Sequence, residues 1–178
     1  CANPTPKIGE TKKRKGLVVG DVQSGKTANY MALINMACDY GYKLIIVLAG
    51  LTDSLRMQTQ ERIDEGLIGA VSTTIGSRNI KYIGVGTLKK ERYAVTLTNL
   101  EKDFKRESMA ALNNTTADYN KPVVLVVKKN KSTLENVREW LKPGAEGVTD
   151  HILIIDDEAD NASVNTKKSD EDPSAINR

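Results

Sequence analysis

One stretch narrows the possible folds more than any other: Leu17-Val18-Val19, then Gly20-Asp21-Val22-Gln23-Ser24-Gly25-Lys26-Thr27, then a helical pattern from about Lys26 to Asp39. The eight central residues fit G-x-x-x-x-G-K-[ST]. Their glycines let backbone N–H groups close around an anion at the positive end of a helix. Such a loop works between a strand and a helix, so the pattern predicts a strand at 17–19 feeding the loop. Gly20, Asp21, Val22, Gln23, Ser24, Gly25, Lys26 and Thr27 are therefore candidate nucleotide-binding residues. Lys26 is suited to neutralise β- and γ-phosphates, and the Thr27 hydroxyl to ligate magnesium.

The following hundred and forty or so residues alternate short β-branched apolar runs with longer helical patterns, which is how parallel strands joined by crossover helices read. The fold class is α/β with a mostly parallel sheet. Strands are expected at 17–19, 43–49, 123–128 and 151–156, with a further candidate at 80–85; their continuous apolar runs predict burial on both faces. At 178 residues one hydrophobic core is expected, with 1–15 as a basic linker ending in Lys12-Lys13-Arg14-Lys15 and 16–178 as the folded lobe. The apolar share is 39% before the 13 glycines are added, which excludes a disordered or collagenous chain. No apolar run nears 18 residues and no secretory signal is visible, so a soluble protein without a membrane partner is expected.

Two cysteines, Cys1 and Cys38, exclude a disulfide framework, and the single histidine, His151, excludes zinc sites built on several histidines. The helix at Lys26–Asp39 should present Met31, Ile34 and Cys38 on one stripe before Gly41 stops it, so Cys38 is a core residue. Ser132-Thr133-Leu134-Glu135 has capping-box spacing, predicting a helix that turns Leu134, Val137, Trp140 and Leu141 inward. Another helix is expected at 100–112.

Ile152-Leu153-Ile154-Ile155-Asp156-Asp157-Glu158-Ala159-Asp160 is an apolar strand ending in carboxylates, the other half expected of a nucleoside-triphosphate site. Asp157 would hold Mg2+ and Glu158 would orient or deprotonate the attacking water, with Lys26 and Glu158 as the catalytic pair. Guanine is usually read by Asn-Lys-x-Asp. Asn130-Lys131-Ser132-Thr133 has Thr in place of that Asp, so ATP is the expected nucleotide.

The letters Asp157-Glu158-Ala159-Asp160 reproduce the signature of superfamily-two helicases. The longer strings GDVQSGKTANYMALIN, LAGLTDSLRMQTQERID, VLVVKKN, IIDDEADNASVNT and DPSAINR together resemble the bacterial endonuclease family that carries the Z-one domain. This resemblance spans nearly the whole chain after Gly16. It implies a three-layer, RecA-like P-loop ATPase lobe working on DNA rather than RNA, in the bacterial cytoplasm, in restriction-like or phage-defence systems. It also implies a second RecA-like lobe of the same protein, with arginine fingers, and an association with MORC-type ATPases. No coupling motif or second lobe occurs before Arg178, so the chain resembles part of a first lobe, whose turnover alone would be slow. The short matches Glu10-Thr11-Lys12 and Asp103-Phe104-Lys105 lack a partner acid for nuclease chemistry.

Nucleic acid is expected at the carboxyl ends of the strands. Thr52, Asp53 or Ser54 would cap a helix whose N-terminus, with Arg56, suits a nucleic-acid phosphate; Lys128, Lys129 and Asn130 form a similar turn. Aromatics are 4% of residues, so backbone contact is favoured over base stacking. The net charge of +3 hides a segregation, because residues 150–178 hold eight acids and three bases. Two other readings share the residues: a nucleotide-switched regulatory ATPase without nucleic acid, and an interaction module with an inactive pocket.

Overall fold

The computed structural model describes residues 14–19, 25–105, 120–142, 151–157 and 159. Its centre is a four-stranded, all-parallel sheet of β1 (Leu44–Ala49), β2 (Val95–Thr96), β3 (Val123–Val127) and β4 (Ile152–Asp157), in the spatial order β2-β3-β1-β4. The helices are α1 (Lys26–Asp39), α2 (Asp53–Ile63) and α3 (Lys131–Trp140); a π-helical turn at Asp64–Ile68 continues α2. Among the described residues no helix is long and apolar enough to cross a membrane.

Helices cover both faces of the sheet. On one face Tyr30 and Ile34 of α1, Ile63 of α2 and Leu67 pack on Ile45, Val47, Val124 and Val126. On the other, Val137 and Trp140 of α3 join Phe104 over Leu44, Ile46, Leu125 and Val127, with the Phe104 and Trp140 rings 5.5 Å apart. Burying such side chains contributes roughly 1.5–3 kcal/mol each before conformational entropy is charged against it. The period-two alternation of a strand explains the division, since successive residues of β1 face opposite layers.

α1 occupies the predicted span, and its inward stripe is Tyr30, Ile34 and Ala37 with Met31 and Cys38 half-buried beside them. Gly41, at φ 91°, makes the left-handed stop, and the Tyr42 N–H returns to the Ala37 carbonyl. Burial pushes the Cys38 thiol up to about 11, with Asp39 adding to the shift, so it stays protonated in the core layer.

Several expectations are corrected. Residues 17–19 form no strand among the described residues; Leu17 and Val19 are more than four-fifths exposed. Three residues offer too few ladder bonds to hold an edge without tertiary cover, and apolarity alone does not supply it. The candidate strand at 80–85 is instead an isolated antiparallel bridge, Ala70 to Tyr82, followed by a 3-10 turn at Gly84–Gly86. There Gly86 packs so closely on Gly69 that a Cβ would lie 1.9 Å from its carbonyl oxygen. β4 is not buried on both faces: it lies at the edge of the described strands, and Ile152 and Ile154 on one face are exposed. Residues 101–105 are not helical, and the rest of the helix expected at 100–112 lies outside the described residues. α3 starts two residues earlier than predicted, because Asn130 Oδ1, not Ser132, accepts from the Thr133 N–H at 2.9 Å. β2 has only two residues and no pattern from which it could be read.

α2 is tied to the sheet by a buried polar chain. Asp64 accepts from Gln60 Nε2 at 2.8 Å and from the Ser72 N–H at 2.7 Å; Thr98 Oγ1 donates to Gln60 Oε1 and accepts from the Val126 N–H. Burial raises the Asp64 carboxyl above its ordinary value against the opposing pull of these donors. A raised carboxyl favours folding in acid. Asp64's contribution is therefore fully present below the unfolded value near 3.9 and declines as pH rises through its folded value. Asp64→Asn can accept only one of the two bonds, and is expected to lower stability by about 1–3 kcal/mol. The deficit should be larger at pH 4 than at pH 7, read by urea unfolding at both.

Candidate nucleotide-binding cleft

The cleft lies at the head of α1. Gly25, at φ 79°, precedes the helix with no side-chain cap, so the helix opens on backbone N–H groups rather than on a serine or aspartate. Gly25, Lys26 and Thr27 line the cleft together with Arg62, Glu65, Gly66 and Gly84, around an open volume of about 1030 Å3. That is at the upper end for small-molecule sites, roughly 300–1,000 Å3. Two cations and a helix N-terminus in one cleft favour an anion.

Sheet register fixes the other groups. Ala49 is aligned with Asp157 and Leu48 with both Val127 and Asp156, so the turns after β1 and β3 and the end of β4 share one sheet edge. Within β4 alternate residues face opposite layers: Leu153 and Ile155 pack on the α1 side, and Asp157 continues their row. Tyr30 connects this row to α1. Its hydroxyl ionises above the usual tyrosine range, chiefly through burial and then through the negative charge of Asp157, while Thr27 and Arg62 pull the other way. Thr27 and Arg62 are thus near the Tyr30 hydroxyl, yet no directed hydrogen bond reaches it. The tail of α1 turns at Gly41 into the start of β1, which pairs in parallel with β4, so the head of α1 and the end of β4 lie at one end of the molecule. Asp157 is not itself a wall residue of the cleft.

Among the described residues no group of three or more His, Cys, Asp or Glu side chains could hold a metal ion. Mg2+ commonly uses one or two protein oxygens and completes its shell with phosphates and water. The Thr27 hydroxyl in the first turn of α1 and the Asp157 carboxylate at the end of β4 are the protein oxygens such a site would draw on. Gly20, Asp21, Val22, Gln23 and Ser24 of the loop, and Glu158, lie outside the described residues.

Asp156 points to the opposite layer, where it pairs with Lys129 Nζ. The Lys129 side chain is fully buried and that of Asp156 is 34% exposed. The Lys129 N–H also donates to the Gly50 carbonyl at 2.8 Å, so this turn spans the end of β1.

These placements revise the expected nucleic-acid contacts. Arg56 is 2% exposed, and its guanidinium donates to the carbonyls of Asn99 at 2.7 Å and Leu100 at 2.8 Å. Arg56 and Lys129 thus have no surface to offer a nucleic-acid backbone. Two charged donors on a loop's carbonyls satisfy groups that would otherwise be buried without partners. Asn130 is engaged as the cap of α3, and Thr52 caps α2 through the Leu55 N–H at 3.3 Å. Lys128 reaches Asp53 at 2.8 Å; this hydrogen bond is the first cause of the lowered Asp53 carboxyl. Arg56→Ala is expected to lower stability by about 2–4 kcal/mol by thermal or urea unfolding, from lost charged bonds and stem packing. A change within 0.5 kcal/mol would contradict the assigned role.

Comparison with protein-family models, with curated proteins and with solved structures finds no match to this chain. Three residues were not legible as parts of the site: Arg62, Tyr30 and, as partner of Asp156, Lys129. None carries a local signal, since Arg62 reads as a solvent-facing helix residue and Tyr30 as core.

Proposed function

We propose that the chain is a Mg-ATP-binding and hydrolysing, RecA-like lobe of a helicase- or translocase-like ATPase directed at DNA, of the kind used in bacterial restriction-like or phage-defence systems. The observation that carries the ATP reading is that α1, whose first turn holds Lys26 and Thr27, packs on the face of β4 where Asp157 continues the row of Leu153 and Ile155. Thr27 and Asp157 are more than a hundred residues apart in sequence. Lys26 would bind the β- and γ-phosphates, and Thr27 and Asp157 would hold Mg2+, which when bound neutralises phosphate charge. Glu158, next in the chain, would accept a proton as water attacks the γ-phosphorus and the bond to the β-phosphate oxygen breaks, giving ADP and phosphate. The DNA direction rests on the family resemblance of the quoted strings.

The test is calorimetric titration of ATP with Mg2+ or with EDTA. Mg2+ should strengthen binding to the wild type by about tenfold or more, and Asp157→Ala should lose most of that gain. Equal affinities with and without Mg2+ would refute the assignment. A second reading, a nucleotide-switched ATPase without nucleic acid, is favoured by the burial of Arg56 and Lys129. ATP turnover measured with and without duplex and single-stranded DNA separates the two: stimulation supports the motor, and its absence the switch.

A further inference from the structure

Arg62 belongs to neither motif, yet its Nη1 donates to Thr27 Oγ1 at 2.8 Å, and it lines the same cleft as Lys26. Thr27 Oγ1 is the atom that a dication would need. A hydroxyl oxygen has two acceptor positions, and here one is taken by a cation. A guanidinium and a dication on the same oxygen repel each other. Phosphate oxygens are also far better acceptors for a guanidinium than a neutral hydroxyl is, because both partners are charged and the fork geometry matches. Nearby, the buried Tyr30 hydroxyl has no hydrogen-bond partner, so polar capacity is left unused beside the head of α1.

We propose that Arg62 is a second phosphate-binding cation of this cleft, parked on Thr27 while the cleft is empty, and that nucleotide entry moves its guanidinium to phosphate oxygens and releases the Thr27 hydroxyl for the metal. The proposal rests on the reading of the cleft as a nucleotide-phosphate site. It makes Arg62 a ligand supplied by the chain itself, in the cleft that Lys26 also lines. It also makes the contact with Thr27 an internal competitor of binding, since that bond must break before Arg62 can reach the phosphates.

The two halves of the idea predict opposite signs. With EDTA present, so that no metal contributes, Arg62→Ala should weaken ATP binding about tenfold by removing a charge-assisted contact. Under the same conditions Thr27→Val, which keeps the β-branched shape but removes the parking oxygen, should strengthen ATP binding severalfold. With Mg2+ restored, Thr27→Val should lose the metal's benefit. A purely structural role for the contact would move both variants in one direction. Melting curves accompany the titrations, and Arg62→Gln replaces Arg62→Ala should the latter unfold. Lys26→Ala serves as the control for the cleft. If Lys26→Ala weakens ATP binding but Arg62→Ala and Thr27→Val do not shift in opposite directions, the role of Arg62 is overturned and the cleft assignment stands. If the wild type binds no ATP, or Lys26→Ala binds it equally well, both fall.

Discussion

Asp156→Ala is expected to destabilise the chain by about 3–5 kcal/mol, the range for removing one partner of a buried ion pair. The asymmetry of the pair makes the prediction specific. The Lys129 side chain has no exposure, so without Asp156 its ammonium loses a carboxylate where water cannot replace it. Asp156 keeps 34% of its side-chain surface, so the reverse loss can be offset by hydration. Lys129→Met, which removes the buried charge while retaining most of the stem's volume, should therefore cost only about 1–2 kcal/mol. Urea unfolding of the two single variants decides the matter. A smaller loss for Asp156→Ala than for Lys129→Met would show that the pair does not anchor the end of β4 as described. This contact joins the turn after β3 to β4 across the end of β1, so its loss should loosen the strand that carries Asp157.

Under the proposed phosphate-binding role, Lys26→Ala should reduce ATP affinity on the order of a hundredfold, since it would remove a charge-assisted contact to the β- and γ-phosphates. Calorimetric titration with Mg-ATP reads the affinity, and a melting curve on the same sample shows that the variant is folded. Unchanged affinity would refute the phosphate-binding role.

Elements whose patterns are local were legible in the sequence. The span of α1, the stop at Gly41 and a cap among Thr52, Asp53 and Ser54 follow from residue spacing and turn chemistry within a few positions, and the structure selects Thr52. So do the cores of β1 and β3, because a β-branched run bounded by polar turns needs no distant partner to be recognised. The gathering of the strand ends at one sheet edge was also readable, since parallel strands joined through helices place their carboxyl ends together.

What failed was every inference that needed to know what lies across from a residue. Residues 17–19 read as a strand, but pairing requires an edge and cover that apolarity does not guarantee. Arg56 and Lys129 read as exposed cations at helix starts; the loop at Asn99-Leu100 and the carboxylate of Asp156, 27 or more positions away, turned them inward. β2 and the early start of α3 depended on single contacts, not on a period.

By itself the sequence determined an α/β chain with strands in parallel, a helix beginning at Lys26, and two motifs suited to phosphate and metal chemistry. Only the tertiary structure decided that Asp157 faces the α1 layer while Asp156 faces away, and that Arg62 stands on Thr27. The reason is physical: periodicity and capping are set by neighbours a few residues apart. The partner of a buried charge is set by how whole layers pack, where the cost of leaving that charge alone selects among arrangements that local pattern cannot distinguish.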